Sequence, residues 1–427
     1  MSDRRGQSSG KRAMEQAMLA AVALHRTALC VLMLVGCPRA HEVPAAPIDP
    51  PSAPRPPERA ELTPDASFLS SPTLRERVSA SAHNYFRAIN TPFAHRVCDR
   101  FESVIATMPS VNLHGDAHFE QLAVTDGGGG FADFDDSVSG PPVIDLVRFG
   151  VSLELAAHVH DWSTEELIDA FLDAYAARGD ADDENPLPVP LERLREAFPV
   201  APEAFLEASE RRMAGDLALS GLGTDGFARY VDLMARLHPT WAQDFFTIKR
   251  AGSLLEEGIG SATTRRALIR IEGPSTADED DRILEAKEMR DVSSIRCVGG
   301  RGLSLQVVAS GMRFGAHEDP FLAIVPRAAD EGASVPPWWV QSWWPNYSEL
   351  TVDAVMNEAD GRAVAAFAGR TLHDGHTGMM PRQQQLQLRS LLESMMASHR
   401  PAIERAITAL AYDVRAAFGA FRAEAAD

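Results

Sequence analysis

The 427-residue sequence predicts an α+β protein with a mostly helical part and a smaller part rich in strands. Apolar residues recur at helical spacing through much of 73–236 and again after about 350. Short runs of apolar and β-branched residues, typical of strands, lie between about 245 and 345. The apolar fraction of 45% and the charged fraction of 24% are those of an ordinary globular protein, so a large buried core is expected.

The first 37 residues resemble an export signal more than a part of the fold. A basic start precedes the apolar run 28–36, which is too short to span a bilayer. The run ends in Leu34-Val35-Gly36-Cys37, which resembles a bacterial lipobox and implies a lipid on Cys37. We therefore expect a lipid-anchored protein of the bacterial cell envelope. The alternative is an amphipathic N-terminal helix with an unrelated cysteine, in a cytoplasmic protein.

Residues 38–66 are rich in proline and predict an extended, semi-rigid linker that cannot pack a core. The globular domain is therefore expected over 67–427. Its predicted parts are a helical part that holds the polar motifs, a strand-rich part and a set of C-terminal helices, over 67–245, 246–345 and 346–427.

The helical part is expected to begin with the pattern over Thr73–Met108 and to continue in an apolar helix from about Val143 to Ala157. Further helices are predicted over 164–236, with proline- and glycine-rich breaks. The strand-rich part contains runs that predict strands. These runs are 267–271, 283–287, 304–308 and 321–325.

The densest group of polar residues is His114-Gly115-Asp116-x-His118-x-x-Gln121, which is followed by Asp133-Phe134-Asp135-Asp136. Residues 122–124 and 131–132 predict short strands joined by a glycine-rich turn. The two motifs therefore lie within about one hairpin of each other. Phosphoryl transfer needs such groups, since one carboxylate orients the acceptor while an amide oxygen and another carboxylate hold Mg²⁺.

This arrangement, followed by Asp145-Leu146, resembles the catalytic stretch of aminoglycoside-phosphotransferase-like kinases and, within that group, the bacterial DUF2252 family of unknown function. Three peripheral segments are similar to that family as well, and the resemblance extends over roughly 70–380. These segments are Tyr85-Phe86-Arg87, Gly258-Ile259-Gly260-Ser261 with Arg265, and Leu284-Glu285-Ala286-Lys287-Glu288. The resemblance implies a protein-kinase-like fold with two lobes, one mostly helical and a smaller one rich in strands.

The resemblance also implies roles for individual residues, with Mg²⁺ and ATP as cofactors. Asp116 would be the base or orienter of the acceptor hydroxyl, with His118 as a second catalytic candidate. The implied metal ligands are Gln121 and Asp133, and Asp135 is a further candidate from its position in the second motif. The implied phosphate contacts are the backbone of Gly258, Gly260 and Ser261 and the side chain of Lys287. Asp145 is implied as a structural support of the loop, and we expect His114 and Arg87 to brace the same loop.

Two departures from the kinase pattern affect this interpretation. Gln121 stands where an Asn normally binds metal, and its side chain is one methylene longer. The glycine-rich segment and Lys287 follow the catalytic motifs, whereas ordinary kinases have them before. If these segments form a nucleotide-binding lobe, the chain is a circular permutation of the kinase order. Such a permutation is compatible with function, because a site depends on where its residues lie in space and not on their order in the chain.

Two alternatives to an active kinase remain at this point. Export to a compartment poor in ATP, together with Gln121, is compatible with a pseudokinase-like binding or scaffolding lipoprotein. A His-x-Asp-x-His strand would place residues 114, 116 and 118 on one side, as in a metal-dependent phosphoesterase or other hydrolase. That class needs further histidine motifs downstream, and the sequence contains no Gly-Asn-His.

The formal net charge of −19 argues against a nucleic-acid partner, because phosphate-backbone binding needs a basic face. It leaves a small phosphorylated ligand open, since Mg²⁺ can supply the local positive charge. The acceptor, which can be a small molecule or a protein, and the oligomeric state do not follow from the sequence. Nor does a pairing of Cys98 with Cys297.

Overall fold

The structure is a computed structural model. It describes residues 61–65, 71–177, 185–217, 221–241, 243–254, 259, 264–290, 292, 294–299, 303–328, 336–378 and 381–426. The predicted export signal with Cys37, the linker up to residue 60, and Gly258, Gly260 and Ser261 lie outside the described residues. Among the described helices, none is both long and apolar enough to cross a membrane.

The described chain is an α+β fold, as the sequence predicts, with helices at both ends and most strands between them. The helices are α1 (Pro72–Ala80), α2 (Ala82–Ala88), α3 (Asn90–Arg100), α4 (Val143–His160), α5 (Thr164–Ala176), α6 (Val189–Arg195), α7 (Pro202–Arg211), α8 (Gly223–Leu237), α9 (Leu303–Arg313), α10 (Glu358–Thr377) and α11 (Arg382–Ala426).

The strands form three sheets, all with antiparallel pairing. The orders are β1-β4, β11-β2-β3 and β5-β6-β7-β8-β10-β9. The strands are β1 (Val111–Leu113), β2 (Leu122–Thr125), β3 (Gly128–Phe131), β4 (Val138–Gly140), β5 (Met213–Ala214), β6 (Ile248–Leu254), β7 (Arg266–Ile271), β8 (Arg282–Glu288), β9 (Ala323–Ile324), β10 (Trp338–Ser342) and β11 (Tyr347–Glu349).

Helix α4 is the centre of the helical part. Its residues from Val143 to Ala157 are all buried, which explains why its sequence is apolar on nearly every face. Helices α5 and α11 pack on it, and a Cβ at Gly150 would meet the side chain of Ile407 on α11 at 2.3 Å. Glycine at this position therefore allows the two helices to approach closely.

The sequence also predicts the hairpin that separates the two polar motifs. Strands β2 and β3 pair from Leu122 with Phe131 to Thr125 with Gly128, and Asp126-Gly127 forms the turn. The six-stranded sheet agrees with two of the predicted strands, since β7 and β8 coincide with 267–271 and 283–287. The run 321–325 contains only the two-residue strand β9.

The predicted strand 304–308 is wrong, because this segment belongs to helix α9. Val307, Ser310 and Phe314 are fully buried, a spacing that places them along one side of the helix and its C-terminal end. Ser310 accepts a hydrogen bond from Asn112 of β1 at 2.8 Å. Packing against the motif-bearing strands thus overrides the local β preference of two adjacent valines.

A disulfide joins Cys98 on α3 to Cys297, with a Cα–Cα distance of 5.7 Å across 199 residues of sequence. It ties the segment 294–299, which lies between β8 and β9 in the chain, to the N-terminal helices. The same segment forms a bridge between Gly299 and Ser139 of β4. The strand-rich part is thereby connected directly to the motif-bearing hairpin region.

Candidate functional site

The first polar motif follows β1, and Asp145 at the start of α4 fixes its loop. The backbone N–H groups of His114 and Gly115 donate to the two carboxylate oxygens of Asp145, at 2.7 and 2.9 Å. Gly115 has φ +85°, and a Cβ there would lie 2.0 Å from the carbonyl oxygen of Asp136. The glycine of the motif is thus required by a left-handed backbone and by the close approach of the second motif.

The carboxylate of Asp145 is itself held by α10. His376 donates through Nε2 to Asp145 at 3.0 Å, and its Nδ1 accepts from the hydroxyl of Tyr175 at 2.9 Å. Burial alone would raise the pKa of Asp145, but the bonds from His376 and Gly115 lower it below its usual value. Asp145 is therefore a charged brace beneath the loop.

His114 links the two motifs through its ring. Its Nδ1 accepts from the N–H of Asp116 at 3.2 Å, so its Nε2 carries the proton and donates to the carbonyl of Ala132 at 2.9 Å. Arg87, another predicted support, contacts Glu120 at 3.3 Å. Both residues hold backbone or side chains of the loop.

Asp116 is buried and faces a buried arginine. Its Oδ1 accepts from Nε of Arg148 at 2.7 Å and also from Nη2 of the same guanidinium, while Gln121 lies 3.5 Å from Oδ2. The exposed fraction of Asp116 is only 2%. The desolvation that accompanies burial raises the pKa of Asp116 despite the charge of Arg148.

His118 lies beside this pair, with its Nε2 3.8 Å from Oδ2 of Asp116. It contacts the ring of His83 edge to face, and neither nitrogen of His118 has a hydrogen-bond partner among the described residues. Burial, followed by the charges of Arg87 and Arg148, lowers the pKa of His118 well below its usual value. The ring is therefore neutral at pH 7.

The second motif contacts the strand-rich part of the chain through Lys287. The ammonium of Lys287 on β8 donates to Oδ1 of Asp133 and, at 2.9 Å, to Oδ1 of Asp135. Asp133 has φ +62°, an uncommon conformation for a residue other than glycine. Such residues cluster at functional sites, where the surrounding structure holds them.

The two carboxylates have opposite protonation tendencies. Burial alone raises the pKa of Asp133, but Lys287 lowers it well below the usual range. Burial and the adjacent Asp133 charge raise the pKa of Asp135 well above its usual value. Lys287 remains charged, because the two carboxylates raise its pKa although burial by itself lowers it.

Arg290 extends this buried network toward the first motif. Its guanidinium lies 3.1 Å from Asp136, which also accepts from Asn90 at 3.1 Å, and 3.7 Å from Asp135. Burial alone lowers the pKa of Arg290, but the neighbouring carboxylates raise it above its usual range. Oδ2 of Asp135 has no hydrogen-bond partner among the described residues.

A cavity of about 580 Å³ lies between this network and the six-stranded sheet. Asp133, whose side chain is 26% exposed, is the charged residue of the two motifs that lines this cavity. Other charged or aromatic groups come from both parts of the chain. They include Arg77, Arg87, Arg212, Arg266, Glu285, His317, Asp319, Trp343, Trp344, Tyr347 and Glu349.

The structure thus divides the predicted site residues into two groups. Asp133 lines the cavity and contacts Lys287, which is buried together with Asp135 and does not line the cavity. Asp116, His118 and Gln121 form a second buried group, which does not line the cavity either. The burial of Asp116 argues against direct contact with an acceptor in this conformation. Gly258, Gly260 and Ser261 lie outside the described residues, so their predicted contacts with phosphate stay predictions.

The group formed by Asp133, Asp135 and Lys287 fits a Mg²⁺ site only in part. Within the described ranges, no set of three or more His, Cys, Asp and Glu side chains is arranged to hold a metal. Two carboxylates are nevertheless enough for Mg²⁺, which commonly keeps several waters and takes further oxygens from substrate phosphates. Asp133, whose side chain lies at the cavity, fits it best. Oδ2 of Asp135 accepts no hydrogen bond from the described residues, but it is buried and lies 3.7 Å from Nε of Arg290.

Several site residues were missed by the sequence analysis. Arg148 had a recognisable signal, since a lone arginine within the apolar run of α4 needs a buried anion. Nothing in the sequence indicated that His376 on α10 holds the carboxylate of Asp145. Arg290, Tyr347 and Glu349 gave no signal, because only the tertiary fold brings them beside the motifs.

Comparison with known proteins agrees with one part of the resemblance. Residues 71–188 match the model of the DUF2252 family, which is described as an uncharacterized protein conserved in bacteria. The matched stretch contains both polar motifs and α4, and it ends before the six-stranded sheet. No curated protein and no solved structure matches the chain.

Proposed function

We propose that this protein is a Mg-ATP-dependent phosphotransferase that acts on a hydroxyl acceptor in the cavity. The observation that supports it best is the contact of Lys287 with Asp133 and Asp135. A lysine on a central strand of an antiparallel sheet and two carboxylates after a hairpin are suited to hold phosphates and metal, respectively. They come from segments 154 and 152 residues apart, and Asp133 carries their contact to the wall of a large cavity.

In this proposal Asp133 and Asp135 would hold Mg²⁺, and Lys287, which contacts both carboxylates in this structure, would contact the nucleotide phosphates. The bound metal would neutralise charge on the phosphoryl group during transfer. Arg266 and Glu285, which are paired beside the cavity, would stabilise the wall on the side of the sheet. Asp116 and Arg148 would act as positioning residues that fix the loop between the motifs.

The same proposal assigns the fold to a circularly permuted kinase-like arrangement. Strands β6, β7 and β8 form consecutive antiparallel pairs, and the predicted glycine-rich segment lies between β6 and β7. Helix α9 packs against β1 and β4, which places a helix of the strand-rich part next to the motif region. These features support two lobes with a cleft between them.

A pseudokinase-like binding protein is the second candidate, and a specific observation favours it. The carboxylate of Asp116 is occupied by Arg148, and Lys287 occupies the carboxylates that metal would need. A protein of this kind would bind a ligand in the cavity without turnover. Export to a compartment poor in ATP would favour it further.

The proposed function is tested by thermal unfolding of the full chain with and without Mg-ATP. A ligand that binds only the folded state stabilises it by about 2.7 kcal/mol at a hundredfold excess over Kd. We expect stabilisation by Mg-ATP, a smaller effect of ATP with EDTA, and loss of the effect in Asp133→Asn. Asp161→Asn is the matched control, because Asp161 also has a positive φ but lies at the end of α4.

The outcomes separate the candidates. Stabilisation by Mg-ATP that Asp133→Asn abolishes supports a metal-nucleotide site. An absence of stabilisation in the parent, or equal stabilisation in Asp133→Asn, would contradict the proposal. Metal-independent stabilisation without ADP formation would favour the pseudokinase-like candidate.

We also propose that the protein is anchored in the cell envelope through a lipid on Cys37. The disulfide between Cys98 and Cys297 supports export, since such bonds persist mainly in oxidising compartments.

A further inference from the structure

The short edge strand β11 presents two polar side chains to the cavity. Tyr347 and Glu349 are two residues apart, so they point to the same face of the strand. Their partners on β2, Thr125 and Ala123, also line the cavity, which fixes the orientation of this face. Ser348 lies between them on the strand, with its side chain toward the opposite face.

Tyr347 and Glu349 form a hydrogen-bonded pair. The hydroxyl of Tyr347 donates to Oε1 of Glu349 at 2.7 Å. Desolvation in the cavity wall and the adjacent carboxylate raise the pKa of Tyr347 well above its usual range, so the hydroxyl stays protonated and donates. A carboxylate accepts several hydrogen bonds, so Glu349 retains capacity for another donor from the cavity.

The charged groups that act on Glu349 lie on α2, on β7 and in the second motif. Arg87 on α2 and Arg266 on β7 favour its ionised form, whereas Asp133 opposes it. Desolvation is the largest influence, and the pKa of Glu349 is raised above its usual value. A carboxylate with a raised pKa is better matched to proton transfer near neutral pH.

Glu349 and Asp116 differ in their access to a substrate. Glu349 is exposed to the cavity on an edge strand, near the proposed metal ligand Asp133. Asp116 is 2% exposed and bound by Arg148 behind the cavity wall. Glu349 is therefore more accessible to an acceptor in the cavity than Asp116 of the first motif.

We propose that Glu349, held by Tyr347, binds the acceptor hydroxyl and takes its proton during phosphoryl transfer. This inference rests on the proposed function. The acceptor oxygen forms a bond to the γ-phosphorus, and its proton passes to Glu349. The bond between the γ-phosphorus and the bridging oxygen breaks, and ADP leaves with that electron pair. Glu349 returns the proton to solvent after product release.

The test measures ADP formation from Mg-ATP with water as the acceptor, beside the thermal shift that Mg-ATP causes. Loss of a general base lowers turnover by about 100-fold or more. We expect Glu349→Gln to lower kcat on this scale while the thermal shift stays that of the parent. Tyr347→Phe should give a smaller decrease, and Glu349→Asp should recover part of the activity. Ser348→Ala is the control and should keep parental kcat.

The readouts distinguish failure of this inference from failure of the proposed function. Parental kcat in Glu349→Gln, with a normal Mg-ATP shift, would overturn the role of Glu349 alone. A parent that Mg-ATP stabilises but that forms no ADP would also overturn it, while the nucleotide site would stand. A parent that Mg-ATP does not stabilise would contradict both.

Discussion

At the scale of single residues, buried charge is the main constraint on this site. Lys287 is 2% exposed and lies against two carboxylates, and Lys287 and Asp133 each favour the charged state of the other. The sequence identified Lys287, Asp133 and Asp135 as candidates. It could not show that they contact one another, because their separation in space depends on how the sheet packs on the hairpin.

Lys287→Met should therefore destabilise the protein by about 3–5 kcal/mol, since it leaves buried carboxylates without their cation. Adding Asp135→Asn should restore part of that loss, because Asp135 is the more buried carboxylate and its pKa is raised. Urea unfolding of the parent, the single variant and the double variant measures both effects.

Lys249→Met provides the comparison for this prediction. Lys249 is also surrounded by carboxylates, but its side chain is 23% exposed, against 3% for Lys287. Solvent screens such a network, so the loss should be much smaller. If both lysine variants lose the same free energy of unfolding, burial does not make the contacts of Lys287 more important for stability than those of Lys249.

At the scale of elements, three connections place the strand-rich part over the motifs. They are the packing of α9 on β1 and β4, the bridge from Gly299 to Ser139, and the disulfide between Cys98 and Cys297. Only the disulfide is covalent, and it closes a long loop. The connection therefore constrains the unfolded chain strongly.

Cys297→Ser should lower the free energy of unfolding by about 2–4 kcal/mol, the usual contribution of a disulfide. The measurement is urea unfolding under non-reducing conditions. A reducing agent should produce the same loss in the parent and no further loss in Cys297→Ser. Equal stability of the oxidised parent and the variant would mean that the bond does not contribute in solution.

At the scale of the whole molecule, the acidic composition bears on the binding partner and the proposed anchor bears on the location. A net charge of −19 argues against a nucleic-acid partner. The cations beside the motifs, Arg148, Lys287 and Arg290, lie against carboxylates of the motifs. Attachment to the envelope would then depend on Cys37 rather than on a spanning helix. That residue lies outside the described residues, so the anchor remains a prediction from the sequence.

Cys37→Ser should move the protein from the membrane fraction to the soluble fraction. A lipidated bacterial N-terminus carries several acyl chains, which hold a protein on a membrane where one chain does so only marginally. Cell fractionation of the parent and the variant measures the distribution, with Cys30→Ser as the control. If the parent and Cys37→Ser are equally soluble, the lipobox resemblance is accidental and the proposed lipid anchor is contradicted.

The sequence by itself determined the α+β class, the hairpin between the motifs and the chemical types gathered there. These depend on local periodicity, turn residues and motif spacing, which a single chain displays directly. The tertiary structure alone decided that 304–308 is helical, that Arg148 binds Asp116, and that Glu349 faces the cavity. Each of these depends on contacts between segments far apart in the chain, where burial and packing outweigh local preference.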